Sequence, residues 1–526
     1  MGMLKVERSE VGEFYTDRCV FITGGTGFMG KVLVEKLLYS CSDVKKIYLL
    51  MRPKRGQSIE DRLEQMFNLP MFLRIRNHKP EVFQKIVPVF GDICREELGI
   101  VPEARKILEE EVSVVFHLAA TLKLEANLHD AISMNTEGTK RMIQLAKGMK
   151  KLVAFVHSST AFCHCDLKVM EEKVYPSPED PDNIMNLASW LDVETMDILT
   201  PKLIHPHPNT YTYTKRLAES LVAREHPNLP VCIARPSIVT PAWREPLAGW
   251  VDNLNGPTGI LVAGSKGVIR TMLCNGDYHA EVIPVDMAIN GLIVVGYKVG
   301  TSPRISEETS ESIPVYNLTQ CGMKPITWRE VLDKGKKLGH ENPFSLMLWY
   351  PDGTIRTNRF THQLCIIFTH WLPAYLIDGL LLIFGQKRFM IRVQTKISQG
   401  LELLQYFTMR EWLFKNTKLV NLRESLSPYD KKTFSLEFEK VDQIPYMRNC
   451  ILGARHYCMK EDPKTLPRSR RILKIMYILH KVMGSLFYVF IGWLIVSNSE
   501  TARQFLNKTK DAVTVLPFFR TRDMIK

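Results

Sequence analysis

Thr23-Gly24-Gly25-Thr26-Gly27-Phe28-Met29-Gly30 directly follows a short apolar run, Cys19 to Thr23, and opens a longer amphipathic one. Gly24 permits a tight turn out of a strand. Gly27 lets backbone approach a pyrophosphate with no side chain in the way, and Gly30 permits close packing of helix on strand. A helix beginning here aims free N–H groups and the positive end of its dipole at phosphate. The same glycines could describe a plain strand-to-helix turn, but the βαβ pattern that follows makes them a dinucleotide site.

Outward from this turn, apolar runs alternate with amphipathic stretches, the pattern of a parallel sheet covered by helices. Strands are predicted at Cys19 to Thr23, Lys46 to Met51, Ile86 to Phe90, Val112 to Leu118, Leu152 to His157 and Leu229 to Ala234. Helical spacing marks Lys31 to Tyr39 and Leu128 to Lys147. Two insertions interrupt the rhythm: a charged, helical one from Gly56 to Lys85, and a Pro-rich, acidic excursion from Asp166 to Asn209. After Arg235 the Gly/Pro-punctuated chain reads as a substrate lobe, and from about Asn358 as a separate helical domain without strands. The fold class is α/β, a Rossmann-type doubly wound parallel sheet with a substrate lobe, a helical C-terminal domain and a C-terminal transmembrane helix.

With 526 residues, 45% hydrophobic and 24% charged, the chain is a multi-domain globular protein and not a disordered one. Its net charge of +13 suits phosphorylated ligands or an anionic membrane. No dense basic stripe, zinc-finger spacing or helix-turn-helix accompanies it, so nucleic acid is not an expected partner. The eleven cysteines are unpaired in spacing and no apolar leader precedes Cys19, which predicts a reduced, cytosolic catalytic part. Cys163-His164-Cys165 lacks a second ligand pair, and no metal site is expected.

Val482 to Ser499 has no charged residue and reads as a membrane span, within a segment bounded at 472–499. Arg468, Arg470, Arg471 and Lys474 precede it and predict a cytosolic N-terminal side. Phe360 to Gln386 is long enough to span but carries His362, His370, Pro373 and Asp378. It reads equally as a second membrane element or as a buried or membrane-facing helix.

The chemistry rests on Tyr211 and Lys215, four apart and so on one helix face. An ammonium near the phenol is expected to lower the Tyr211 pKa and fit it for acid–base work. The predicted strand before Ser158-Ser159-Thr160 brings hydroxyls able to bind a substrate carbonyl; Thr160 is the choice and Ser159 the alternative. Where an NAD site would carry an acidic residue, this chain has Met51-Arg52-Pro53-Lys54-Arg55. Arg52, with Lys54 or Arg55, matches a 2′-phosphate, so NADPH is the expected cofactor. The cofactor set is Thr23, Gly24, Thr26, Gly27, Phe28, Gly30, Arg52, Asp92 beside the adenine, Ala119 at the end of the fourth strand, and Lys215.

TGGTGFMG, Ser158-Ser159-Thr160-Ala161-Phe162, YTYTK and Arg235-Pro236-Ser237 together resemble an extended short-chain dehydrogenase/reductase. The run Arg244 to Pro257, with Pro201-Lys202-Leu203-Ile204 and Ile283-Pro284-Val285-Asp286, is similar to the fatty acyl-CoA reductases over nearly the whole chain. The resemblance implies NADPH-dependent reduction of long-chain fatty acyl-CoA to fatty alcohol through an aldehyde, with catalysis by Thr160, Tyr211 and Lys215. It also implies membrane lipid as a partner and a cytosol-facing catalytic domain anchored at the endoplasmic reticulum or peroxisome. The expected organisation is an NADP-binding Rossmann domain with substrate-lobe residues at 1–290, the rest of that lobe at 291–357, and a helical domain at 358–465. A membrane-bound reductase of sterols and a non-catalytic NADP(H) sensor are the alternatives.

Overall fold

A computed structural model of the chain describes residues 9–54, 56–177, 179–303, 312–320 and 323–504; Arg55 lies outside them. Seven parallel strands form the main sheet: β1 (Cys19–Thr23), β2 (Lys46–Met51), β3 (Ile86–Phe90), β4 (Val112–His117), β5 (Ala154–Ser158), β6 (Val231–Pro236) and β7 (Val315–Leu318). Their order is β7-β6-β5-β4-β1-β2-β3. The order of the strands reverses between β1 and β4, the point at whose carboxyl ends open α/β sheets bind their ligands in a crevice. Six strands lie where apolar runs predict them. β7 was not anticipated, and it ties a stretch assigned wholly to lobe and connection into the sheet by pairing with β6.

The strands are buried on both faces. Val20 and Ile22 join one apolar cluster with helices Phe28–Ser40 and Val285–Thr301, whereas Cys19 and Phe21 join a second with Gly138–Lys147 and Thr210–Ala223. This two-faced burial explains runs such as Cys19-Val20-Phe21-Ile22 without polar alternation. The helix predicted from Leu128 to Lys147 contains a π-helical turn at Ile132–Glu137.

Both insertions are fastened down. Arg74, from the first, pairs with the buried Glu35 at 2.6 Å and with Glu245 at 2.9 Å. The second is more than a surface excursion, because Val169–Met170 pairs with Leu413–Phe414. That two-residue strand also corrects the expectation that the C-terminal part has none. Asp286 accepts hydrogen bonds from the amides of Trp243, Arg244 and Glu245, fixing the loop that follows β6. Gly249 in that loop packs backbone to backbone on helix Gln443–Gly453, where a β-carbon would come within 2.2 Å of the Asn449 carbonyl oxygen. Among the described residues two helices, Arg359–Ile383 and Pro463–Asn498, are long and apolar enough to cross a membrane.

Candidate active site

The glycine turn is built for close approach. Gly24 has φ +73°, and a β-carbon there would stand 2.8 Å from the Ala119 amide; one at Gly30 would stand 2.1 Å from the Gly24 carbonyl oxygen. Gly27 caps the Phe28–Ser40 helix with no side chain on the first-turn amides, leaving them free for an anion. The Thr23 hydroxyl lies 2.7 Å from His117 Nδ1 and accepts from the Ala119 amide at 3.2 Å. Burial holds His117 down to about 3, so this ring is neutral and bridges Thr23 to Thr139.

At the outer end of the crevice Arg52 pairs with Asp92 at 2.8 Å. A second arginine joins them that sequence reasoning missed. Arg62, from the first insertion, donates to the Thr26 hydroxyl at 3.2 Å and to the Arg52 carbonyl oxygen. Burial, and then the positive charge of Arg52, depress its pKa. Two guanidiniums beside the glycine turn fit a cofactor that carries an extra phosphate.

β5 ends at Ser158, and Thr160 caps the short turn Ala161–His164, accepting from the Phe162 amide at 3.3 Å. Phe162 is held from the C-terminal domain by the rings of Phe407, Trp412 and Phe414, with centroids 5.2–5.4 Å away. Asn209 caps the helix Thr210–Ala223, which presents Tyr211, Lys215 and Glu219 at successive turns. The half-buried Tyr211 phenol meets the Thr160 hydroxyl, while Ser159 is buried beside the Cys163 thiol. Lys215 Nζ donates to the Ser158 carbonyl oxygen at 2.8 Å, and burial lowers its pKa to about 8. Contrary to the expectation of a lowered phenol, burial raises the Tyr211 pKa, opposed only by Thr160. The lysine's charge goes to a carbonyl of β5.

Under these residues lies a buried cluster that sequence reasoning also missed. Arg235 grips Glu219 through Nε–Oε1 at 2.8 Å and Nη2–Oε2 at 2.6 Å. Cys163 Sγ and His164 Nε2 each lie 3.1 Å from the same carboxylate. Cys163, His164 and Glu219 converge as metal ligands do, and the Arg235 guanidinium pairs with the Glu219 carboxylate among them.

A seven-stranded Rossmann-type sheet, a glycine turn at its switch point and a Tyr/Lys helix beside β5 define an extended short-chain dehydrogenase/reductase with an NAD(P)-binding domain. Residues 22–292 and 369–461 match two family models, each described as male sterility protein. Fatty acyl-CoA reductase 1 of Gallus gallus is 36% identical over 494 residues, covering 94% of this chain and 95% of that protein. Fatty acyl-CoA reductase wat of Drosophila melanogaster is 36% identical over 487 residues, 93% of each. The chain belongs to the fatty acyl-CoA reductases. Among solved structures, the reductase domain of a nonribosomal peptide synthetase from Mycobacterium tuberculosis shares the fold, with TM-score 0.54 and 16% identity over 85% of this chain and 95% of that one.

Proposed function

We propose that this chain uses NADPH to reduce long-chain acyl-CoA to fatty alcohol in two successive reductions at one site. The observation that supports the reading is the Tyr211 phenol on the Thr160 hydroxyl, with Lys215 bonded to the Ser158 carbonyl oxygen at the end of β5. Gly24, Gly27, Gly30 and the amides of the following helix would hold the pyrophosphate; Arg52 and Arg62 would hold the 2′-phosphate. A bound reduced nicotinamide supplies hydride.

Thr160 and Tyr211 hydrogen-bond the thioester carbonyl oxygen and stabilise the charge that develops on it, each donor contributing about 3 kcal/mol. The raised pKa of Tyr211 suits reduction, since the phenol stays protonated at neutral pH and donates its proton. Lys215 orients the ribose and brings positive charge beneath the site. The tetrahedral adduct collapses by breaking its C–S bond, CoA leaves as thiolate, and the aldehyde, once the spent cofactor has been exchanged for a second NADPH, takes a second hydride and the Tyr211 proton.

Helix Pro463–Asn498 would anchor the enzyme, with Arg468, Arg470, Arg471 and Lys474 on the cytosolic side of an endoplasmic reticulum or peroxisomal membrane. NADPH oxidation by membranes holding the full chain, tested on saturated acyl-CoAs of increasing length with product masses read, checks the reaction. Fatty alcohol is expected, and Tyr211→Phe is expected to abolish it. NADPH binding without turnover on any thioester would overturn the reading.

A further inference from the structure

Helix Arg359–Ile383 could cross a bilayer by length and composition, yet three of its polar residues, His362, His370 and Asp378, are buried against protein. His362 Nδ1 lies 3.0 Å from the Thr271 hydroxyl, and the Arg270 amide donates to His370 Nε2 at 2.8 Å. The Asp378 carboxylate accepts from the amides of Phe389, Met390 and Ile391 at 2.9–3.0 Å. With the buried Ala374 these residues recur at multiples of four, one stripe covering about 24 Å at ~1.5 Å per residue. A spanning helix must leave the water-soluble lobe behind, but this one is tied to it at His362 and His370 and to the turn that follows it at Asp378.

The opposite stripe is apolar and bare: Leu364, Phe368, Leu376, Ile383 and Phe384 are 41–77% exposed. Apolar surface this extensive marks a docking face. Charge identifies what covers it. Lys387, Arg388, Arg392 and Lys396 follow directly and are all exposed, a collar suited to anionic headgroups. Position agrees, because both apolar helices share one footing. Trp349, whose indole donates to His480 of the C-terminal helix at 3.1 Å, sits on the Lys266–Gly267 turn, and Arg270, a few residues on, holds His370.

We infer that residues 359–384 form a monotopic lipid-docking face, lying in the plane of the leaflet that the C-terminal helix enters, with the basic collar at headgroup level. The inference rests on the anchor reading but not on the reaction. It gives the enzyme two fixed contacts with the bilayer, and so one orientation.

The full chain, reconstituted in phosphatidylcholine–phosphatidylserine vesicles, is tested with photoreactive benzoylphenylalanine replacing Phe360, Leu376 or Phe384 in turn. Lipid adducts are expected at all three, with residues 359 and 386 open to protease from the same side. Arg388→Glu with Arg392→Glu is expected to lower the Leu376 adduct severalfold on anionic vesicles. A chain that floats with the vesicles yet gives no adduct at Leu376, or whose two ends lie on opposite sides, overturns this inference alone. One that does not float at all overturns the anchor with it.

Discussion

The Lys215 ammonium is buried against a carbonyl, and burial holds its pKa at about 8 against an ordinary 10.5. Below about pH 8 folded and unfolded chains both carry the proton, so the full cost of burying it, on the order of 3 kcal/mol, is present. Between there and 10.5 the folded chain has released a proton that the unfolded chain keeps, and stability rises with pH through that window. Lys215→Met is therefore expected to raise Tm by a few degrees at pH 7 while abolishing reduction; a fall in Tm would count against the strain. The same titration predicts that kcat/KM declines above about pH 8, as the charge under the nicotinamide ribose is lost. Arg62 gives a second test at this scale. A charge-assisted contact contributes about 1.5–3 kcal/mol, so Arg62→Ala should raise KM for NADPH at least tenfold and leave that for NADH nearly unchanged. An equal loss with both cofactors would assign Arg62 to the shape of the glycine turn and not to the extra phosphate.

Glu219 joins three elements: the helix that presents Tyr211 and Lys215, the turn capped by Thr160, and β6 through Arg235. Thr160 and Tyr211 stand far apart in sequence, and this fully buried pair ties their elements together. Breaking one partner of such a pair costs about 3–5 kcal/mol, whereas replacing both by apolar residues costs much less. Urea unfolding should thus show Arg235→Met and Glu219→Met each strongly destabilised and the double variant largely restored; simple additivity would sink the coupling. Much of this architecture can be located from sequence, because β1 to β6 are apolar runs buried on both faces and the glycine turn has one steric explanation. β7 has only four residues at the edge of the sheet, too few to show a period. Glu219 was within reach, since Tyr211, Lys215 and Glu219 keep a four-residue spacing, but its partner Arg235 comes from a strand. Arg62 was hidden in an insertion whose path no local pattern dictates. The ionisation of Tyr211 was misjudged for a related reason: helical spacing gives the distance between two side chains, while burial and the Ser158 carbonyl decide where the charge goes.

At the scale of the whole molecule, segments 240–331 and 441–450 close on each other around a cavity of about 120 Å³. Leu261, Trp328, Val331 and Met447 supply apolar wall from three separate helices, and Thr240 contributes from the chain leaving β6. Thr240 is bonded to Tyr446 at 2.7 Å, so the cavity begins a few residues beyond the strand end that lies beside Thr160. In the proposed reaction the acyl tail of a thioester resting on Thr160 and Tyr211 would run into this apolar space. Length selection would then belong to the seam between domains and not to the Rossmann core. Each buried methylene contributes about 0.8 kcal/mol, so a bulky side chain that excludes two or three of them should cost long substrates about 2 kcal/mol, roughly thirtyfold in kcat/KM. Met447→Trp is expected to shift the preferred acyl-CoA toward shorter chains with little change in turnover of the shortest ones. If it slows every length alike, the cavity serves the packing of the two domains and the tail runs elsewhere.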